Sequence, residues 1–174
     1  MKRQLGIIIV FLLFSTMAFA QKTEIDFDRK ADFASYHTYM WEKSPNPAKG
    51  QWDQRIVEAV DKQLEAKGLK KVDTNPDVWV VYSNSVKDEK QVVGGGYGLS
   101  PTWGWNNGIG PAFTNTFITK VGTLVVEMAD TRNKQALWRG SVSDTITDNT
   151  NKNIKNLDKA VAKLFKDYPP KEKK

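Results

Sequence analysis

A run of apolar residues from Leu5 to Phe14, broken only by Gly6, divides the chain into a short leader and everything that can build a domain. Lys2 and Arg3 precede the run, and Ser15, Thr16, Met17 and the triplet Ala18-Phe19-Ala20 follow it. A basic start, a short apolar middle and small residues around a cut site are the three parts of a secretory signal. A membrane-spanning helix needs about 20 apolar residues, roughly twice what stands here. The expected leader is residues 1–20, removed after Ala20, so that the rest folds outside the cytoplasm.

Outside the cytoplasm a small domain is often held by disulfides, yet the chain has no cysteine. That excludes disulfides, thiolate metal sites and a cysteine nucleophile together. It also excludes lipid attachment at the cut, where Gln21 stands instead of a cysteine, so no integral membrane anchor is expected after cleavage. A hydrophobic core must hold the fold, and about 150 residues suffice for one. The formal charge of +6 falls to +4 once Lys2 and Arg3 are removed, and Lys171, Glu172, Lys173 and Lys174 form a basic tail that carries +2 of it. The excess therefore reads as a tail rather than a binding stripe, and no nucleic-acid partner is expected.

Residues 21–170 read as a single domain. Thr23 to Asp28 alternates, with Ile25 and Phe27 on one face, as a half-buried strand does. Tyr36, Thr38, Tyr39 and Trp41 read as a second strand, ended by Ser44-Pro45-Asn46-Pro47. From Gln51 to Lys67 the residues Trp52, Ile56, Val57, Val60 and Leu64 fall at threes and fours, which is one helix stripe, and Gly68 stops it. A short strand over Leu69–Val72 follows, then a central one at Val78-Trp79-Val80-Val81-Tyr82. Gly122–Ala129 and Gln135–Thr145 form a hairpin around residues 130–134. A last helix, capped by Asn149 or Thr150, carries Ile154, Leu157, Val161, Leu164 and Phe165. The pattern predicts an α+β fold: a mainly antiparallel sheet of about five or six strands with two helices on one face.

Between the central strand and the hairpin, residues 92–117 hold seven of the chain's twelve glycines, interleaved with Tyr97, Trp103, Trp105, Phe113 and Phe117. A loop this long in a compact domain is functional or disordered. Exposed tryptophan forgoes roughly 1.5–3 kcal/mol of burial, so Trp103 and Trp105 must fold back on the sheet or meet a partner.

Several of these segments together carry a resemblance. Asp26-Phe27-Asp28, Asp32-Phe33 with Tyr36, Thr38, Tyr39 and Trp41, and the helix core Arg55–Val60 through Lys67-Gly68-Leu69 are its first half. Pro76-Asp77-Val78, Gly122-Thr123-Leu124, Leu137-Trp138-Arg139-Gly140 and Pro169-Pro170 complete it. Over residues 23–170 the chain resembles domain of unknown function 4136, a family of exported bacterial envelope proteins, often lipoproteins. The resemblance implies fold and compartment and brings no activity with it.

Single residues suggest little chemistry. His37 is the only histidine and has no evident nucleophile or orienting acid beside it. Asp26, Asp28 and Asp32 lack the glycine of a calcium loop and read as turn carboxylates. Gly94-Gly95-Gly96-Tyr97-Gly98 has no following helix signal or nearby lysine for a phosphate. Arg139 beside Trp138 suits an anion, an aromatic face or a carboxylate. The reading is a non-catalytic exported envelope protein with no cofactor or metal. It binds or builds through the 92–117 loop, with Tyr97, Trp103, Trp105 and Arg139 as contacts. A cell-wall glycan or another envelope protein would be the partner. The rival is a small envelope hydrolase using Asp26 or Asp77.

Overall fold

Period-two alternation places the strands and period 3.6 the helices, and a computed structural model describes the result for residues 22–94 and 114–170. In chain order these are β1 (Lys22–Phe27), β2 (Thr38–Trp41), α1 (Gln51–Ala66), β3 (Lys70–Lys71), β4 (Val78–Gly94), β5 (Thr114–Asp130), β6 (Ala136–Ile146) and α2 (Thr150–Leu164). One six-stranded sheet runs β1-β6-β5-β4-β2-β3.

Consecutive pairing holds for β4, β5 and β6, which are antiparallel neighbours. It fails at the start of the chain. β1 pairs antiparallel with β6, while β2 lies parallel to both β4 and β3. The reason is α1, because a strand that re-enters the sheet after a helical crossover arrives parallel.

Both helices present one apolar stripe to the same sheet face. Ile56, Ala59, Val60 and Leu64 of α1 and Ala160, Val161 and Leu164 of α2 are buried there. They meet Tyr39, Val78, Val80, Tyr82, Val126, Met128 and Trp138. Trp138 is 2% exposed, stacks on Phe165 with centroids 4.9 Å apart and meets the edge of Tyr168. Helix ends follow the expected chemistry. Asn149 Oδ1 accepts from the backbone N–H of Lys152 at 2.9 Å, and Gly68 takes φ +91° just past α1. Gly140 is a packing requirement: a Cβ there would lie 2.5 Å from Trp138 Cη2 and 2.7 Å from Leu164 Cδ1.

The strands outreach the helices. Seventeen residues of β4 or β5 can span about 56 Å at 3.3 Å per residue, whereas sixteen residues of α1 span about 24 Å. Part of the β4–β5 ribbon must therefore extend beyond helical cover. Its register runs unbroken from Val78↔Asp130 to Gly94↔Thr114. The expected loop 92–117 is thus shorter at both ends, since residues 92–94 and 114–117 belong to strands.

Candidate functional site

Where the helices end and the strands continue, the structure leaves a cleft of about 640 Å³. The first turns of both helices line it, with Trp52 and Ile56 from α1 and Asn153, Asn156 and Leu157 from α2. The floor is the covered sheet face as it emerges: Val86 of β4, Gly122 and Leu124 of β5, and Val142 and Ile146 of β6. Its lining is mainly apolar by area, with carboxamides, hydroxyls, Lys49 and one carboxylate, Asp144, among it. Val86 is 58% exposed, and farther along the same ribbon face Ile118 is 64% exposed. Apolar surface therefore continues from the core through the cleft as far as Val86, and the Asp88↔Lys120 pair separates it from Ile118.

The rim is fixed by local hydrogen bonds. Asn46 and Asn84 exchange side-chain amide N–H bonds to one another's carbonyls. Asn153 Oδ1 accepts from the Thr147 backbone N–H at 3.0 Å and from its hydroxyl at 2.9 Å. At the α1 side, the Tyr82 hydroxyl donates to Asp53 and accepts from the Ala48 N–H. Burial first, and then the Asp53 bond, push the Tyr82 phenol up to about 12. This end of the cleft is held by the Tyr82–Asp53 bond and the paired carboxamides of Asn46 and Asn84.

Of the residues expected from sequence to make contact, only Arg139 is among the described ones, and it does not line the cleft. Tyr97, Trp103 and Trp105 lie outside the described residues. Arg139 lies on the opposite sheet face, where it is opposed in register by Asp26 of β1 and Glu127 of β5 and forms an ion pair with Glu127. Asp77 Oδ2 accepts from the backbone N–H groups of His37 and Thr38 and from the Thr38 hydroxyl, each at 2.9 Å. Those bonds, the His37 N–H first, hold its carboxyl below the usual carboxylate range. Asp26 accepts from the Phe27 N–H, Asp28 from Lys30 and Asp32 from Ala34. These carboxylates are turn and strand-end fixtures.

The most perturbed acid is also structural. Asp130, 2% exposed, accepts from the Tyr36 hydroxyl at 2.9 Å and from two guanidinium nitrogens of Arg132 at 3.0 and 2.6 Å. Arg132 above all holds its carboxyl well below the usual range. The cluster ties the β5–β6 turn to the Phe33–Ser35 turn, away from the cleft-lining residues. Among the described residues no group of three or more acidic or histidine side chains is placed to hold a metal.

Sequence reasoning missed the cleft because its walls come from five separate segments, of which only the Trp52-Ile56 stripe and the α2 stripe at Leu157 were periodic. It also misread the charge. Lys152, Lys155, Lys159, Lys163 and Lys166 are all exposed and fall at spacings of three and four, so the positive excess is not confined to the tail but forms a row along α2.

The family described as a domain of unknown function (DUF4136) matches residues 23–170. No curated protein matches the chain. Among solved structures, a PDZ domain protein from Parabacteroides distasonis is similar at TM-score 0.57 and 13% identity, over 87% of this chain. The match spans 36% of that protein, so this chain corresponds to about a third of its length. The PelC dodecamer from Paraburkholderia phytofirmans is similar at TM-score 0.50 and 10% identity, over 84% of this chain and 95% of that one. At such identities the likeness is one of fold.

Proposed function

The chain belongs to the DUF4136 family, and from that premise we propose that it is a non-catalytic, exported protein of the cell envelope that grips an apolar segment of another envelope protein in the cleft beneath the β4–β5 ribbon. Export is supported by the leader at residues 1–20. Among the described residues no helix is long and apolar enough to cross a membrane. The observation that carries binding is the cleft itself: about 640 Å³, mainly apolar, fixed at its rim and bordered by exposed Val86. Sites that capture ligands are concave and largely apolar, with a few placed polar groups, and this one has that composition.

The rival hydrolase reading needs at least two polar groups converging in a pocket. Asp26 sits exposed on edge strand β1, and Asp77 Oδ2 is taken up by His37 and Thr38 at the start of β2. Neither lines the cleft.

A naphthalene-sulfonate dye that brightens in apolar surroundings tests the reading on the exported protein. One dye should bind per chain, be displaced by apolar peptides, and be lost in Val86→Asp with the melting temperature unchanged. No brightening in the parent, or equal brightening in the variant, would remove the cleft as the site.

A further inference from the structure

We infer that the outer face of α2 docks the protein onto an anionic lipid surface. Lys152, Lys155, Lys159, Lys163 and Lys166 are spaced three, four, four and three apart. At 3.6 residues per turn the first four, all within α2, fall within an arc of about 80° over a length of about 17 Å, and Lys166 follows two residues past the helix end. All five are exposed, and they lie opposite the stripe of partly buried Leu157 and buried Val161 and Leu164. Asp158 is the single acidic residue of the helix.

The neighbouring helix shows that this is particular to α2. Both helices occupy one layer, yet α1 carries Asp53, Glu58, Asp61 and Glu65 against Arg55 and Lys62, a net of −2. From Thr150 to Leu164, four lysines against Asp158 give +3. α2 packs over β6 and β1, at one side of the sheet, and α1 is associated with β3 at the other. The two helices also pack on each other, so a flat surface meets the row ahead of the acidic helix by approaching from the β1 side.

The chemistry of the row selects its partner. Its apolar stripe is already buried in the core, so α2 cannot insert as an interfacial helix does, and attraction must be Coulombic. Lysine is a point charge on a flexible stem with no planar fork to read one geometry. The row has no aromatic side chain on which a sugar ring could stack. A polymer would lose conformational freedom in aligning along it, whereas lipid headgroups diffuse laterally to match any spacing. Each lysine near an anionic bilayer contributes about 1 kcal/mol.

Co-sedimentation of the exported protein with vesicles of phosphatidylglycerol and phosphatidylethanolamine, or of phosphatidylcholine alone, tests this. Binding should appear only with the anionic vesicles at low salt and vanish at about 1 M, where the Debye length is about 3 Å. Combining Lys155→Gln, Lys159→Gln and Lys163→Gln should lower partitioning about a hundredfold. The same three positions changed to arginine should retain it. Exposed lysines off the row, changed as Lys43→Gln, Lys62→Gln and Lys70→Gln, should lower it no more than about threefold, through net charge alone. Equal losses in the two glutamine triples, no binding at low salt, or equal binding to phosphatidylcholine would overturn the inference. So would tight binding of soluble polyphosphate without vesicle binding, which would assign the row to a polymer.

Discussion

The strand β4 passes through two environments, and its two halves are written differently. From Val78 to Tyr82 it lies under the helices, and Val78, Val80 and Tyr82 are at most 3% exposed. From Ser83 onward it leaves that cover, and Ser83, Asn84, Ser85, Val86, Lys87, Asp88, Glu89 and Lys90 show no apolar period. Both halves pair with β5 without interruption. Backbone pairing continues on hydrogen bonds and cross-strand pairs such as Asp88↔Lys120, while alternation of apolar side chains exists only where there is a face to bury. The covered half makes the fold, and the boundary between the halves makes the cleft.

If that division is right, the largest effect should come from the core that the covered half helps to build, at Trp138 of β6. Trp138→Ala removes a side chain 2% exposed and stacked on Phe165, and should cost about 3–5 kcal/mol. Chemical denaturation measures it, and an unchanged midpoint would break the comparison.

Next in size is the buried Asp130 cluster. Asp130→Asn should cost about 1–3 kcal/mol at neutral pH, because Tyr36 and Arg132 lose a charged acceptor. The native carboxyl is held low while an unfolded aspartate titrates near about 3.9. Its contribution is therefore complete above about pH 4 and is lost as the pH falls below that. Melting temperatures between about pH 2 and 7 should show a steeper acid limb in the parent than in Asp130→Asn. Parallel limbs would show that the cluster contributes nothing to acid sensitivity.

Two glycines on the same sheet face sharpen the contrast further. Gly140→Ala drives a methyl against the Trp138 ring and Leu164 and should cost about 1–3 kcal/mol. At Gly122 the added carbon would stand 2.8 Å from Ile146 Cδ1, the end of a flexible side chain bordering the cleft. That change should cost less than about 1 kcal/mol. Equal costs, read from thermal unfolding of the two variants, would mean that the cleft side is packed as tightly as the core.

The same division explains what the sequence shows and what it hides. The helix stripes through Ile56, Val60 and Leu64 and through Leu157, Val161 and Leu164 were legible because each faces one core. So was the turn after Asp130, where the chain reverses between two apolar strands. The outer lengths of β4 and β5 were not, since Lys87 to Lys90 read as solvated chain when no face is buried. The parallel placement of β2 depends on contacts across the sheet, which local pattern does not encode. Arg139 was picked out beside Trp138, but strand alternation turns adjacent residues to opposite faces, Trp138 to the core and Arg139 to Glu127. The cleft joins residues more than a hundred positions apart, from Asn46 to Ala160, and leaves only fragments in any one segment.

The central claim is that a partner protein meets the molecule at the cleft and not on the bare sheet face. A photo-reactive side chain placed at Val86, compared with one at Ser141 on the opposite face, tests it in intact cells. The account predicts a discrete adduct with one envelope protein from position 86, suppressed by Ile146→Asp, and none from position 141. Adducts of the same kind from both positions, or from position 141 alone, would contradict it.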